Sequence, residues 1–487
     1  MRFTDENIRK LFGHEAAEDD NEDNFFNSYV KGQAYEKLKS SLPLYVVVGH
    51  KGTGKSALLK ILEKEEKEAN NLPIFIRQED IFDQTEKDLN KMIKMWQEGL
   101  SKIVFNKLLE SLFDLGKSAE NGSFKNWMSK FSKLMFNLFG KKFTDIKKYD
   151  NDISYRDFLK LFKNTLFTEK KVTVFIDDLD RGWSNQEHEI KNISALLNAL
   201  RTITREIPNI KFRIALRSSV YFAVRTSDES TDKIENSIVW LKWNNHEILA
   251  MLAKRIIFFK NKISLDEKRL LKLSQYELAK NFKGVFEMQF KGEGHWNNAP
   301  IHRVVLSLIR QRPRDLVKLC SLAAQEAFNN GHQKILTGDF QNVFQRYSQE
   351  RLTDTVNEYN SELRELQKVL LEMKPDARNS KVQFQYTPQD LSIKMKKVIE
   401  HVGKMRFSNG ELVTERKLAA FLYKINFFTA RKDTKDKEIV RYYYDENKYA
   451  FNEDIDNGFN VEVHPAYRWA LQPQDIFGVY KSIELIG

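Results

Sequence analysis

The octet Gly49-His50-Lys51-Gly52-Thr53-Gly54-Lys55-Ser56 constrains this chain more than any other feature of its sequence. It fits G-x-x-x-x-G-K-[ST], the pattern of a loop that wraps a phosphate in its own backbone. Such a loop needs glycine where successive N–H groups turn inward, and Gly52 and Gly54 supply it. It also needs a strand before it and a helix after it. Residues 44–48 (LYVVV) form an apolar run of strand length, and Ala57, Leu58, Ile61 and Leu62 then recur at helical spacing. The helix start would turn its partial positive charge toward the anion. Lys55 would reach the β- and γ-phosphates, and the Ser56 hydroxyl would face Mg2+. Gly49, His50, Lys51, Thr53 and Ala57 complete the stretch expected to contact a nucleotide.

A second apolar run, residues 172–176 (VTVFI), leads directly into Asp177-Asp178-Leu179-Asp180-Arg181. A carboxylate at the end of such a strand can hold Mg2+ opposite Ser56, and Asp177 is placed for this. Asp178 is then the candidate to polarise the attacking water. Asp180 and Arg181 could pair with each other, or Arg181 could contact a neighbouring subunit. Read without the phosphate loop, the same acidic run would be a solvated turn. The long interval between Lys55 and Asp177 leaves room for an inserted helical segment, residues 85–167.

Further strands are expected at 72–76 and 211–216, with a helix over 190–207 between acidic run and strand. Short apolar strands alternating with helices imply a mostly parallel sheet covered on both faces. Beyond residue 244 helices dominate. The tail has helical patterns at 391–402 and 415–425, then β-rich pieces at 427–431 and 439–451 around a charged turn, 432–438. Helix, helix, hairpin is the order of a winged helix. The expected fold class is α/β: a phosphate-loop core with a parallel sheet and a helical insertion (1–243), a helical, lid-like domain (244–375), and a C-terminal winged-helix-like domain (376–487). Only 20 Gly and 9 Pro in 487 residues agree with a helix-rich globular chain. The acidic run 15–23 reads as a solvated arm.

One cysteine, Cys320, excludes an internal disulfide and a cysteine-based zinc cluster. The histidines have no metal-ligand spacing, so no metal beyond Mg2+ is expected. No run approaches the roughly 20 apolar residues of a membrane span, and a cytosolic location is expected. The amphipathic segment 124–139 could lie on a membrane surface, but packing on its own domain or a partner gives the same stripe and is favoured. A net charge of +11 admits a polyanionic partner or merely solvated lysine-rich helices.

The octet, together with Phe175-Ile176-Asp177-Asp178-Leu179-Asp180-Arg181-Gly182-Trp183, resembles the KAP and STAND branch of P-loop ATPases, related to AAA+ proteins. The resemblance implies a P-loop NTPase fold, ATP as nucleotide, and hydrolysis with Mg2+. It implies a role as a switch, of a kind frequent in bacterial antiviral defence, with a homo-oligomer or a separate effector protein as partner. In similar ATPases the residue after the strand at 211–216 senses the γ-phosphate, which points to Arg217; a surface arginine is the alternative. Gln311-Arg312-Pro313-Arg314-Asp315-Leu316 resembles the second sensor of AAA+ proteins and the proline motif of STAND proteins, so Arg312 or Arg314, with Pro313, would couple nucleotide to domain angle; a solvated helix end is the alternative. Arg201 and Arg205 would serve in trans if subunits form rings, and otherwise are surface residues.

A DNA-binding initiator or loader resembling origin-recognition ATPases is the second reading. It rests on the tail residues Lys394, Lys396, Lys397, Lys404, Arg406, Arg416, Lys417, Lys424, Arg431, Lys432, Lys435 and Lys437, with Tyr442, Tyr443 and Tyr444 on the wing. A nucleotide-bound scaffold with negligible turnover is the third.

Overall fold

The computed structural model describes residues 2–15, 20, 22–80, 86–118, 122–140, 153–227, 229–263, 265–292, 296–375, 384–433, 439–448 and 459–485. The chain divides into two compact units. One comprises Gly32–His50 and Lys55–Leu241; the other comprises Met1–Lys31, Lys51–Gly54 and Lys242–Gly487. Part of the acidic run 15–23, and most of the charged turn with Lys435 and Lys437, lie outside the described residues.

The first unit is built on a sheet of five parallel strands: β1 (Leu44–Gly49), β2 (Leu72–Ile76), β3 (Val172–Ile176), β4 (Ile210–Arg217) and β5 (Ile238–Trp240), in the order β2-β3-β4-β1-β5. β1 and β3 are buried at every position, as near-continuous apolar runs are when helices cover both faces. The helix Lys55–Glu68 follows β1 and buries Leu58, Leu59, Ile61 and Leu62. The insertion is helical: Leu89–Ser118, Gly122–Phe139 and Tyr155–Phe162. Gly122–Phe139 buries Phe124, Trp127, Phe131 and Met135. Trp127 stacks on Phe131 at 5.4 Å, and its ring N–H donates to the Leu166 carbonyl at 3.2 Å. That stripe is the packing face of its own unit.

The second unit joins helices and two small antiparallel sheets on one continuous core. Asn245–Asn261 opens with reciprocal caps: Glu247 N–H donates to Asn244 Oδ1 at 2.8 Å, and Asn244 N–H to Glu247 at 3.0 Å. Pro313 occupies the first turn of Pro313–Asn329, where its missing N–H costs nothing. That helix packs on Thr337–Tyr359, which in turn packs on Pro465–Leu471. The strands β6 (Gln289–Lys291) and β7 (Asn297–Pro300) pair with each other. β8 (Gln385–Tyr386), β9 (Phe428–Asp433), β10 (Ile439–Tyr442) and β11 (Asn460–Val463) form a sheet in the order β10-β9-β11-β8. With the helices Pro388–Val402 and Glu415–Lys424 this is the winged-helix-like arrangement. The sequence reading has no counterpart for β5, β6, β7, β8 and β11.

Candidate functional site

β1 and β4 end in step, with Gly49 opposite Arg217, and β3 flanks β4 on its other side. At this carboxyl edge lie Arg217 at the end of β4, Asp177, Asp178 and Asp180 in the segment after β3, and Lys55 and Ser56 at the start of the helix after β1. The Lys55 ammonium donates to the carbonyls of Gly49 at 2.9 Å and His50 at 3.0 Å, so it is held over the loop it follows. Asp177 extends β3: its N–H donates to the Ile76 carbonyl at 3.1 Å, and its side chain is buried. Burial pushes the Asp177 carboxyl above the usual range, against a hydrogen bond from Ser56, the Asp178 N–H and the charge of Lys55. Asp177 is thus a buried carboxylate that meets the Ser56 hydroxyl, with the Asp178 charge also raising it. Ser56 and Asp177 offer oxygen donors in contact with each other. That set fits Mg2+, which takes one or two protein oxygens and keeps several waters. Among the described residues no group of three or more His, Cys, Asp or Glu side chains is placed to hold a metal without such help.

Asp178 adopts a left-handed backbone with φ of 58°, uncommon outside glycine, and its N–H donates to Asp177 Oδ1 at 2.9 Å. The chain therefore turns sharply between two adjacent carboxylates. Asp180 is buried and pairs with Arg217, while Arg181 is exposed. The pairing weighed from sequence, Asp180 with Arg181, is not the one formed; β4 brings Arg217 to that carboxylate first. His50, buried, shares a 3.1 Å hydrogen bond with the Ser218 hydroxyl. Ala57 is buried in the first turn of its helix.

The tip of the loop, Lys51–Gly54, belongs to the second unit by its contacts. Gly52 and Gly54 have φ of 85° and 92°, the left-handed conformation that glycine permits without strain. The Lys51 N–H donates to Glu358 Oε1 at 2.8 Å. Arg312 Nη1 donates to Glu358 Oε2 at 3.0 Å and to the Lys51 carbonyl at 3.2 Å. The Trp243 ring N–H donates to the Thr53 carbonyl at 2.7 Å, and the Arg314 N–H to the Gly52 carbonyl at 3.3 Å. Arg312 is buried, with Nε and Nη2 lacking a hydrogen-bond partner among the described residues. It caps the helix that Pro313 begins. A solvated helix end therefore does not describe Arg312. Sequence reasoning did not name Glu358 or Trp243; no local motif marks either, and Glu358 lies on a helix hundreds of residues from the loop.

Arg205 is exposed and Arg201 half-buried. In the tail, Lys394 is buried and donates to the Lys374 carbonyl at 2.9 Å. Lys417 pairs with Glu411 at 2.7 Å, Lys424 with Glu362 at 3.2 Å, and buried Arg431 with Glu484 at 2.5 Å. The tyrosines of the wing are packing groups: Tyr443 is buried and hydrogen-bonded to His464 Nε2 at 2.8 Å, Tyr442 meets Phe459 edge-on, and Tyr444 meets Tyr423.

Residues 10–227 match the family model described as ORC-CDC6-like, and residues 264–356 match that of the FunZ-associated C-terminal helical domain. The chain is 24% identical over 194 residues to the putative transposon gamma-delta 80.3 kDa protein of Escherichia coli (strain K12), covering 39% of this chain and 25% of that protein. It thus spans about a quarter of the length of that curated relative. Among solved structures, the ORC2 protein of Aeropyrum pernix in ADPNP–ADP complexes is similar with a TM-score of 0.32 at 9% identity, over 91% of each chain. Cdc6p of Pyrobaculum aerophilum is similar with a TM-score of 0.30 at 12% identity, over 95% of this chain and 99% of that one. The ORC1 protein of Aeropyrum pernix in complex with DNA has a TM-score of 0.33 at 11% identity, over 99% of this chain and 95% of that one. Residues 10–227, similar to the ORC-CDC6-like model, thus contain a parallel α/β sheet with a phosphate-loop sequence at its carboxyl edge. No helix among the described residues is long and apolar enough to cross a membrane.

Proposed function

We propose that this chain binds Mg-ATP on the loop 49–56 and hydrolyses it, using the cycle as a molecular switch. The observation that carries the reading is the meeting of Ser56 with buried Asp177 beside the charge of Lys55. Lys55 leaves the loop carbonyls for the β- and γ-phosphates. Ser56 and Asp177 hold the cation, which when bound would offset the charge of the phosphate oxygens. Asp178 orients the attacking water and takes up its proton. Arg217 offsets charge on the transferred group. The finer reading, a KAP- or STAND-like switch in antiviral defence with a homo-oligomer or separate effector, rests on the resemblance of the Phe175–Trp183 stretch. It predicts a change of mass or a co-purifying chain on adding ATP.

Calorimetry with ATP and ADP, paired with phosphate release, tests the core of the proposal. Asp178→Asn should lower turnover by about a hundredfold or more while ATP affinity changes little. Absence of adenine nucleotide binding would sink it. Slow turnover indifferent to Asp178→Asn would instead favour the scaffold reading.

The match of residues 10–227 to the ORC-CDC6-like model favours a second reading, a DNA-binding initiator or loader. Binding of duplex DNA that tightens with ATP would support it over the first.

A further inference from the structure

The geometry points to Glu358 as a residue that positions the phosphate loop. Both backbone groups of Lys51 are engaged at once: the N–H by Glu358 Oε1 at 2.8 Å, and the carbonyl by Arg312 at 3.2 Å. Arg312 closes the ring through Glu358 Oε2 at 3.0 Å. The Glu358 side chain is 2% exposed and that of Arg312 is 3% exposed, so the ring is shielded from water. A charged acceptor in such a place holds an amide more firmly than a neutral one does. Lys51 directly precedes Gly52, where the loop turns left-handed. Fixing Lys51 on both sides therefore sets the direction from which the following N–H groups turn inward. Pre-ordering those groups removes an entropic cost from anion binding. Glu358 is thus a positioning residue that acts through Lys51. The inference rests on the nucleotide reading above.

Two variants separate the clamp from the charge. Glu358→Ala and Glu358→Gln both remove the carboxylate that Arg312 pairs with. Only the Gln side chain keeps an oxygen that can accept from the Lys51 N–H. Affinity for ATP, measured by calorimetry on the full chain with thermal unfolding as a fold control, should therefore be about tenfold weaker for Ala than for Gln. The Gln variant should bind within a few-fold of the unaltered protein. Equal affinities for folded Ala and Gln variants would overturn the clamp. Should Ala fail to fold, a Gln variant that folds yet binds at least tenfold more weakly than the unaltered protein would overturn it, and one that binds within a few-fold would support it. If the unaltered protein itself takes up no ATP, the nucleotide reading falls first and this inference with it.

Discussion

At the scale of single residues, the loop depends on what is missing at Gly52. Its φ of 85° is strained for any side chain, and a Cβ there would lie 3.0 Å from the Arg314 Cβ. Gly52→Ala thus meets both a backbone penalty and a crowded neighbour that also anchors the loop through its N–H. We expect a loss of about 1 kcal/mol in stability and a larger loss in ATP affinity, because the N–H groups beyond residue 52 would be re-aimed. Thermal unfolding and calorimetry on the same preparation check this; unchanged affinity would mean the loop tolerates a rotation that its hydrogen bonds argue against. Asp178 has the same left-handed backbone without being glycine. An aspartate can adopt it at modest cost, and the turn separates two carboxylates that otherwise would follow the strand.

At the scale of elements, the short strand β11 leads into the helix Pro465–Leu471 through His464, which is buried. Its Nδ1 accepts the Ala466 N–H at 3.1 Å, so the ring proton sits on Nε2 and faces the Tyr443 hydroxyl. Burial, with Arg441 and Arg310 nearby, holds its pKa well below the usual value, against Glu462 and Asp315; Tyr443 and Tyr467 pack on the ring. The folded state therefore refuses a proton that the unfolded chain takes near pH 6.5. Stability is full above that pH and falls as pH drops through it, by up to about 1.4 kcal/mol per pH unit for this one group. His302, likewise lowered by burial, adds to the same slope. Denaturant unfolding between about pH 7.5 and 5.5 should show the decline, and His464→Gln should reduce it; an identical slope in the variant would exclude His464 as its source. The elements themselves were legible where periodicity was strong. β1 and β3 are near-continuous apolar runs, and the octet and the acidic run locate their ends. β5, β8 and β11 were not read because two to four residues carry no period, and each is a strand only through its neighbours in the sheet. Arg217 was found at the end of β4, but its pairing with Asp180 depends on strand order. Glu358 was invisible for the same reason: only the fold brings its helix to Lys51.

At the scale of the whole molecule, the chain carries a net charge of +11. The buried arginines are spent internally: Arg310 and Arg351 on Asp315, Arg312 on Glu358, and Arg441 and Arg468 on Glu462. Those carboxylates answer in kind. Asp315 is held far below the usual range, burial opposing and Arg310 and Arg351 prevailing; Glu462 is lowered to about 2, with Arg441 and Arg468 prevailing over burial. Exposed cations are the ones open to a polyanion, and among the described tail residues these are Lys396, Lys397, Lys404, Arg406, Arg416, Lys432 and Lys481. The helix that would read bases, Glu415–Lys424, buries Leu418, Phe421, Leu422 and Tyr423 and commits Lys417 and Lys424 to carboxylates. Such a surface can contact phosphates but has few groups for base edges. On the DNA-binding reading, the expected behaviour toward duplex DNA is binding that weakens steeply between about 50 and 200 mM salt and differs by less than about tenfold between unrelated sequences. Titrating two such duplexes across that range decides the matter. A preference of about a thousandfold for one of them would mean that the wing reads sequence through residues outside those described, and the phosphate-only account of the tail would have to be abandoned.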